Sequence, residues 1–430
     1  MNYQKEQINN SWLIRAHLRF LWNGIVKCIK SIWGILGIIA FFMVLYYGNT
    51  LLKYRSYELK GMEYIANRTN AFVFTFIVIF ALIIYLLMFG KPKGAGISKY
   101  IRIGFSNSAG ETPLLLERTE TNKGLITLTF RNVGIPLDVW KDNKGQLESI
   151  LNINILNIEE NGKRCIVIMA ASGDLVIPKH INWDNSFMSN ETFELICGET
   201  YVGRIGFNLA VTPHVLIGGS TGSGKSVLLK LLLMQCVKKG AKVVIIDFKG
   251  GVDFAAEIWH KECMLVTDKE TALQTLEYCY KQLFTRQDTL NKSYCRNIDD
   301  YNEKHPEKQM KRIIIGCDEL AELLDKSGLD KEQKSEVAKI EAYLSSIARL
   351  GRACGIHLIL ATQRPDANII NGQIKNNADI RICGRADNVL SQIILDNTEA
   401  SDKISPYDQG RFLNNEDFLF QAYYLNEDYL

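Results

Sequence analysis

The sequence has 430 residues, a net charge of +3 at pH 7 and an apolar fraction of 47%. This length exceeds one average domain, and the near-neutral charge rules out an argument for nucleic-acid binding from overall charge, so any such contact must come from local basic clusters. The ten cysteines include no CxxC pair and no histidine spacing that suits zinc, which is typical of reduced cytosolic thiols.

Two long apolar segments dominate the first ninety residues, because no charged residue occurs at residues 31–52 or 69–90. About 20 apolar residues at 1.5 Å per residue cross the core of a bilayer, so both segments are predicted to be transmembrane helices. Residues 11–30 mix Trp, Leu and Phe with basic side chains. They are predicted to form an interfacial amphipathic helix, although a continuation of the first span fits nearly as well. Residues 1–94 are therefore assigned as a membrane anchor.

Short runs of alternating apolar and polar residues fill residues 95–205, for example GLITLTFRN and RCIVIMAAS. Turn signals separate the runs, and one helical segment, LDVWKDNKGQLESILN, interrupts them. This pattern predicts a small α+β domain. No residue in it suggests catalysis, so its expected role is that of a spacer or an oligomerisation collar.

A glycine-rich loop between a strand and a helix is the strongest signal in the sequence. The run HVLIGGSTGSGKSVLLKLLLMQ fits the pattern GxxxxGK[ST] after an apolar strand and before a leucine-rich helix. The glycines let backbone N–H groups surround phosphates, and the helix N-terminus adds a favourable dipole. The sequence therefore predicts an ATP-binding loop that consists of Gly219, Ser220, Thr221, Gly222, Ser223, Gly224, Lys225 and Ser226.

Two residues of this loop and an acidic pair further along carry the expected chemistry. Lys225 is predicted to contact the β- and γ-phosphates, and the Ser226 hydroxyl to ligate Mg²⁺. The run KRIIIGCDELAELL predicts a buried strand at Lys311–Cys317, followed by Asp318, which would hold Mg²⁺ through water. Glu319 is placed to polarise the attacking water as a general base. The alternative for Glu319 is an acid that stabilises a helix N-terminus.

Two further strands are predicted on either side of this acidic run. AKVVIIDFKGG ends in Asp247 and Lys249, and GIHLILATQRP ends in Thr362, Gln363 and Arg364. Apolar strands separated by helices predict an α/β domain with a mainly parallel sheet and ligands at the strand ends. Gln363 is then placed to sense the γ-phosphate, unless it is an ordinary polar strand end. Residues 206–430 are assigned as the motor domain.

Several of these segments together resemble the FtsK/SpoIIIE family of DNA translocases. They are GGSTGSGKSVLLKLL, IIDFKGG, IIIGCDELAELL, IARLGRACGIHLILATQRPD and NGQIKNNADIRICGRAD, and the likeness extends from about Val202 to Asp396. In its shape the chain resembles the short, two-span members encoded by Gram-positive conjugative transposons, which implies a coupling protein. The resemblance implies a RecA-like P-loop ATPase that forms a homo-hexameric ring around DNA and uses ATP and Mg²⁺.

The resemblance also implies roles for individual basic residues. In LGRACGIH, Arg352 matches the family's arginine finger, which completes the site of the neighbouring subunit; Arg349 is the competing candidate. In NGQIKNNADIR, Lys375 matches a lysine of the DNA-facing pore loop. Three nearby arginines are expected to contact DNA phosphates as well, unless they are simply solvated: Arg364, Arg381 and Arg385.

The departures from the family pattern bear on the cellular role. The usual SRTILD reads SQIILD here, with Gln392 in place of a pore arginine, and the GAExLLGxGDML stretch is absent. The chain ends at Leu430, which leaves no room for the winged-helix domain of the chromosome motors. We therefore expect a coupling protein that feeds DNA to a conjugative apparatus and works with a relaxase, a relaxosome or transfer-channel proteins. The alternatives are a type VII-like protein-secretion ATPase, a chromosome-partitioning DNA pump and a non-enzymatic scaffold.

Charge and cofactor together predict the orientation in the membrane. Two spans place both flanks on one side, and basic flanks favour the cytoplasm. The loop between the spans is also basic, so the charge bias is modest. ATP is cytosolic, which favours a multi-pass protein of the cell membrane with its motor and both termini in the cytoplasm. Duplex DNA is the expected substrate, with single-stranded DNA as the alternative.

Overall fold

A computed structural model describes residues 18, 20–56, 59–90, 106–121, 124–162, 164–363 and 372–427. The chain divides into two compact units, Met1–Asp174 and Leu175–Leu430. The domain boundary predicted at residue 205 is therefore corrected. Residues 175–205 belong to the second unit, because the strand Glu194–Thr200 hydrogen-bonds to the strand Leu419–Ala422 near the end of the chain.

The first unit begins with apolar helices. Within the described residues, two helices are long and apolar enough to cross a membrane: α1 (Ile32–Ser56) and α2 (Met62–Gly90). Both are longer than the predicted spans, because the polar segments next to the apolar cores continue the helical backbone. Residues 20–30 are also helical. The remainder of the predicted interfacial helix lies outside the described residues.

A small residue and a hydrogen bond mark the contact between α1 and α2. A Cβ atom at Gly48 would lie 2.3 Å from the tip of the Phe74 ring, so a larger residue at this position would force that ring to shift. The amide of Asn67 donates to the Leu52 carbonyl oxygen at 2.7 Å. Helices in lipid associate through small residues and interhelical hydrogen bonds, because lipid tails provide no hydrophobic drive. The pair forms a helical hairpin with most of its apolar side chains exposed.

The rest of the first unit is the small α+β domain that the sequence predicts. Its elements are β1 (Leu114–Glu120), β2 (Leu125–Arg131), α3 (Leu137–Asp142), α4 (Lys144–Leu151), β3 (Ile153–Glu160) and β4 (Cys165–Ser172). In this described part, four strands form an antiparallel sheet in the order β1-β2-β4-β3. Buried and partly exposed residues alternate along β2, which follows from the period of two in a strand with one covered face. Trp140 of α3 packs on Phe130 with ring centroids 5.4 Å apart.

The second unit is built on one large mixed sheet. Its strands are β5 (Glu194–Thr200), β6 (Gly203–Asn208), β7 (His214–Gly218), β8 (Lys242–Ile246), β9 (Cys263–Val266), β10 (Ile313–Cys317), β11 (Ile356–Thr362), β12 (Ile380–Cys383), β13 (Arg411–Asn414) and β14 (Leu419–Ala422). Among the described residues they form ten strands in the order β6-β5-β14-β13-β12-β7-β11-β10-β8-β9. The six strands from β12 to β9 pair in parallel, and the remaining pairs are antiparallel.

Helices cover both faces of the parallel half. They are α5 (Lys225–Lys238), α6 (Glu257–Glu262), α7 (Lys269–Lys292), α8 (Ile298–Lys304), α9 (Leu320–Leu324), α10 (Lys331–Cys354), α11 (Gly372–Asn377), α12 (Asn388–Leu395) and α13 (Glu399–Lys403). One core cluster contains Leu276 of α7 and Leu344 of α10, and the other contains Leu232 of α5. Every residue of β7, β10 and β11 is buried, as expected of parallel strands covered on both sides. The predicted α/β fold with a mainly parallel sheet is confirmed.

Buried charge and two histidines occupy the amino-terminal edge of these strands. Arg312 donates to Nε2 of His357 at 2.8 Å and forms two 2.6 Å hydrogen bonds to the carboxylate of Asp299. Nδ1 of His357 then donates to the Pro213 carbonyl oxygen at 3.0 Å. Nδ1 of His214 accepts from the backbone N–H of Leu358 at 3.0 Å. Burial lowers the pKa of His214 to about 4, so this imidazole is neutral at pH 7.

We expect the second unit to lose stability as the pH falls from about 6.5 to about 4. In this window His214 is protonated in the unfolded chain but resists protonation when folded, so acid favours unfolding by up to about 3 kcal/mol. His214→Asn keeps an acceptor for Leu358 but does not titrate. The variant should have a lower free energy of unfolding than the wild type at pH 7, and this difference should become smaller at pH 4.5. Urea unfolding curves followed by tryptophan fluorescence measure both values. A difference that stays constant across this range would contradict the assignment.

Candidate nucleotide-binding site

The carboxyl ends of β7, β8, β10 and β11 meet at one edge of the sheet, because these strands are parallel. The glycine-rich loop follows β7 directly, and α5 begins at Lys225. Gly222 and Gly224 have φ angles of 77° and 98°, which side chains on an L-residue disfavour. These glycines give the loop the curvature that lets its backbone surround a phosphate.

Asp318 links this loop to the neighbouring strand end. It lies directly after β10 and is fully buried. Nζ of Lys225 donates to the Asp318 carbonyl oxygen at 2.9 Å and lies 3.5 Å from its Oδ1. The hydroxyl of Ser226 donates to the same Oδ1 at 2.7 Å. The structure thus brings together the three residues that the sequence predicted for phosphate and metal binding.

Lys249 is a site residue that sequence reasoning missed. Its Nζ donates to Oδ2 of Asp318 at 2.6 Å and lies 3.1 Å from Oδ2 of Asp253. Burial alone would raise the pKa of Asp318, but Lys225, Lys249 and Ser226 outweigh burial and hold that pKa below its ordinary value. The only signal in the sequence is a lysine just after β8. Lys249 reaches Asp318 because β8 lies next to β10 in the sheet.

A second buried carboxylate, that of Asp247, lies near Asp318 and Lys249. Asp247 follows β8, and its Oδ1 accepts from the backbone N–H of Lys249 at 3.0 Å. Its Oδ2 is buried and has no hydrogen-bond partner among the described residues. Burial, together with the nearby charge of Asp318, raises the pKa of Asp247. The Ser226 hydroxyl and the two carboxylates are the hard oxygen donors that Mg²⁺ prefers, so the residues present fit such an ion.

Glu319 connects the ends of β10 and β11. Its carboxylate accepts from the Thr362 hydroxyl at 2.8 Å and from the Gln363 backbone N–H at 3.0 Å. It also caps α9 through the backbone N–H of Ala321 at 3.3 Å, so the helix-terminus alternative describes part of its environment. Oε1 of Gln363 accepts from the Thr221 hydroxyl at 2.9 Å. Glu319 and Gln363 therefore form a chain of contacts that reaches the glycine-rich loop.

The structure separates the basic residues that were grouped as DNA contacts. Arg385 lies against the glycine-rich loop: its Nε donates to the Ser220 hydroxyl at 3.2 Å, and a terminal nitrogen donates to the Thr221 carbonyl oxygen. The reason is that β12 runs parallel to β7, so the residues after β12 reach the same edge of the sheet. Arg385 therefore does not lie with Lys375 and Arg381, contrary to the sequence-based grouping.

Lys375 and Arg381 share one carboxylate. Nζ of Lys375 lies 2.6 Å from Oδ1 of Asp396, and Arg381 is paired with Oδ2 of the same residue. These two hydrogen bonds lower the pKa of Asp396. Arg364, the fourth predicted DNA contact, lies outside the described residues.

Arg352 lies at the opposite edge of the sheet from the glycine-rich loop. It is in the last turn of α10, and β11 begins just after that helix ends. Its side chain is exposed, and its Nε donates to the Ala210 carbonyl oxygen at 3.3 Å. Arg349 is exposed on the same helix. One chain therefore does not bring Arg352 to its own glycine-rich loop.

A strand–loop–helix phosphate loop, with its lysine held by a carboxylate at the end of a parallel strand, defines a P-loop nucleotide-binding protein. Residues 178–367 match the FtsK/SpoIIIE family. The chain belongs to this family, and nucleotide use follows from that membership.

Individual relatives agree with this assignment. The chain is 32% identical over 242 residues to the DNA translocase FtsK of Caldanaerobacter subterraneus subsp. tengcongensis, which covers 52% of this chain and 33% of the relative. It is 38% identical over 201 residues to the DNA translocase FtsK of Treponema pallidum, which covers 44% of this chain and 24% of the relative. The chain thus spans about a quarter to a third of the length of these curated relatives.

One solved structure matches over much more of its length. The pCW3 conjugation coupling protein TcpA, solved in a monomer form with ATPγS, is 39% identical to this chain with a TM-score of 0.59. The match covers 77% of this chain and 96% of TcpA.

We expect Lys225→Met to destabilise the nucleotide-free protein by about 3 kcal/mol or more, because it removes a buried cation from the buried carboxylate of Asp318. Asp318→Asn in the same chain should restore part of the loss. Urea unfolding of both single variants and the double variant measures the coupling, which should lie at about 1 to 3 kcal/mol. Lys249→Met serves as the comparison and should cost less than about 1 kcal/mol, because its side chain is 39% exposed. Strictly additive effects of Lys225→Met and Asp318→Asn would contradict the pairing.

Proposed function

We propose that this chain is a membrane-anchored ATPase that moves DNA and acts as the coupling protein of a conjugative transfer system. The observation that carries the proposal is the likeness to TcpA, at 39% identity over 96% of that chain. The FtsK relatives, named DNA translocases, support DNA as the substrate. The two apolar helices of the first unit support attachment to a membrane.

In this proposal the buried cluster around Asp318 binds ATP. The loop residues 219–224 surround the phosphates with backbone N–H groups, and Lys225 contacts the β- and γ-phosphates. Ser226 and Asp318 would hold Mg²⁺, and this ion would neutralise charge on those phosphates. Lys249 would compete with such a cation for Asp318, because its Nζ donates to Oδ2 of the same carboxylate at 2.6 Å.

Glu319 orients and polarises the water that attacks the γ-phosphate. It is buried next to Asp318, and its two hydrogen bonds from Thr362 and Gln363 fix its carboxylate. Gln363 senses the γ-phosphate, because its side chain contacts Thr221 in the phosphate loop while its backbone contacts Glu319. The presence or loss of the γ-phosphate can therefore be transmitted to the end of β11 through Gln363.

Arg352 supplies the arginine finger to a neighbouring chain in a homo-hexameric ring. Its exposure and its distance in the fold from its own phosphate loop support a role in trans. A guanidinium supplied by a neighbour stabilises the charge on the transferring phosphoryl group and makes hydrolysis depend on assembly.

Lys375 and Arg381 contact the phosphates of DNA without reading its sequence. In the structure without DNA, both of them pair with the single carboxylate of Asp396, which offsets only one of their two positive charges. A DNA phosphate would replace this carboxylate, because both are anions that accept hydrogen bonds from the same two side chains. Arg364 is a further proposed DNA contact, whereas Arg385, which lies at the phosphate loop, is not one.

The cellular setting completes the proposal. The two apolar helices cross the cell membrane as a hairpin, with both termini and the motor on the cytoplasmic side. Duplex DNA is the proposed substrate, with single-stranded DNA as the alternative. A relaxase or relaxosome delivers this DNA, and transfer-channel proteins receive it.

The first test measures ATP hydrolysis by the full chain in detergent. Rates are compared without DNA, with duplex and with single strands, at about 50 mM and 200 mM salt. We expect stimulation by DNA that fades at the higher salt, because phosphate contacts release counterions. Lys225→Ala should abolish hydrolysis under every condition. Hydrolysis that is indifferent to DNA, from chains shown to assemble, would contradict the DNA motor and favour a protein-secretion ATPase.

The same assay separates DNA contacts from catalysis. Lys375→Ala and Arg381→Ala should leave the rate without DNA unchanged. The DNA concentration for half-maximal stimulation gives the apparent affinity for DNA, and each variant should reduce the slope of log affinity against log salt by about 1. Lys261→Ala removes an exposed lysine from α6 and is the matched control for the change in charge.

Mixing two inactive variants tests the role of Arg352. Arg352→Ala alone should lower the rate of hydrolysis by about 10³-fold or more, as expected for loss of an arginine finger. Chains with Lys225→Ala still carry Arg352, so mixed rings contain interfaces with an intact loop on one side and an intact finger on the other. The mixture should regain measurable hydrolysis. Arg349→Ala is the control, because it removes an exposed arginine from the same helix and should retain activity. A mixture as inactive as its components would count against a finger in trans.

A further inference from the structure

A short turn at residues 405–410 is held against the phosphate loop at both of its ends. The carbonyl oxygen of Pro406 accepts from the Arg385 guanidinium at 2.7 Å. The backbone N–H of Gly410 donates to the carbonyl oxygen of Ser223 at 2.9 Å. Gly410 approaches so closely that a Cβ atom on Gly224 would lie 3.1 Å from its Cα. The turn therefore has a fixed position beside the residues where α5 begins.

Tyr407 lies between these two anchors with its ring in solvent. Its side chain is 92% exposed, although the backbone around it is ordered by hydrogen bonds to Ser405. Because the ring is exposed, burial within this chain does not stabilise its position. Its flat face is available to a ligand that can stack on it.

The order of the strands decides which part of a nucleotide meets this ring. Asp318 and Gln363 follow β10 and β11, which lie on one side of β7 in the sheet. These residues surround the place of the γ-phosphate in the proposed function. Arg385 follows β12, and the 405–410 turn leads into β13, which pairs antiparallel with β12. Both strands lie on the other side of β7. A nucleotide whose terminal phosphate points toward Asp318 therefore directs its ribose and base toward the turn.

We propose that Tyr407 is the base-binding residue of the nucleotide site and stacks on the purine ring, while Arg385 fixes the turn that presents it. This inference rests on the proposed nucleotide binding and adds the part of the site that recognises the base. The chemistry of recognition is stacking, which every base can provide through its flat face. Binding should consequently favour purines over the smaller pyrimidine rings and discriminate weakly between ATP and GTP.

The test compares a ligand with a base and a ligand without one. Calorimetric titration of the full chain in detergent gives the Kd for MgATP and for inorganic tripolyphosphate with Mg²⁺. Tyr407→Ala should weaken ATP binding about 5- to 100-fold and leave tripolyphosphate binding unchanged, because only the stacking contact is lost. Tyr407→Phe keeps the ring and should bind both ligands like the wild type. Tyr294→Ala removes another tyrosine, 91% exposed, and is the matched control.

Each outcome has a distinct meaning. Unchanged ATP binding by Tyr407→Ala, or an equal loss for both ligands, would overturn the base-binding role while leaving the phosphate site intact. Tripolyphosphate binding by the same variant shows that it is folded. A wild-type chain that binds neither ligand would overturn the nucleotide site itself, and with it the proposed function.

Discussion

The buried carboxylate of Asp318 is the interaction on which the organisation of the second unit depends. A charge without access to water is tolerated only if other groups neutralise it and donate hydrogen bonds to it. Lys225 and Ser226 come from the phosphate loop after β7, and Lys249 comes from the loop after β8. One carboxylate thus ties together three strand ends. Without it, Lys225 would lose this carboxylate partner, and Lys249 would be left with Asp253.

The sheet order then divides the surroundings of the phosphate loop into two sides. Glu319, Thr362 and Gln363 form a continuous set of hydrogen bonds on the side of β11 and β10. Arg385 supports the loop from the side of β12. The same short strand carries Arg381 near its start, so one strand connects the Asp396 pair to the phosphate loop. Packed strands are stiff, which makes this connection direct.

Long apolar segments are exposed in the first unit, whereas short ones are buried in the second. The 25 and 29 residues of α1 and α2 leave most of their apolar side chains exposed, whereas the five to seven residues of β7, β10 and β11 are entirely buried. Length distinguishes the two cases in the sequence, because only a long helix satisfies its own backbone groups across a bilayer. The two candidate membrane helices and the buried sheet can therefore both be recognised from the sequence.

The sequence by itself determined the features that lie within a few residues of one another. The phosphate loop, the acidic pair after β10 and the apolar helices are local patterns with a local physical cause. Only the tertiary structure decided that Lys249 meets Asp318, that Arg385 lies at the phosphate loop rather than beside Lys375, and that β5 and β6 join the large sheet. A period of two identifies a strand but not its partner. Side-chain contacts between strand ends depend on that choice of partner, which no run of adjacent residues encodes.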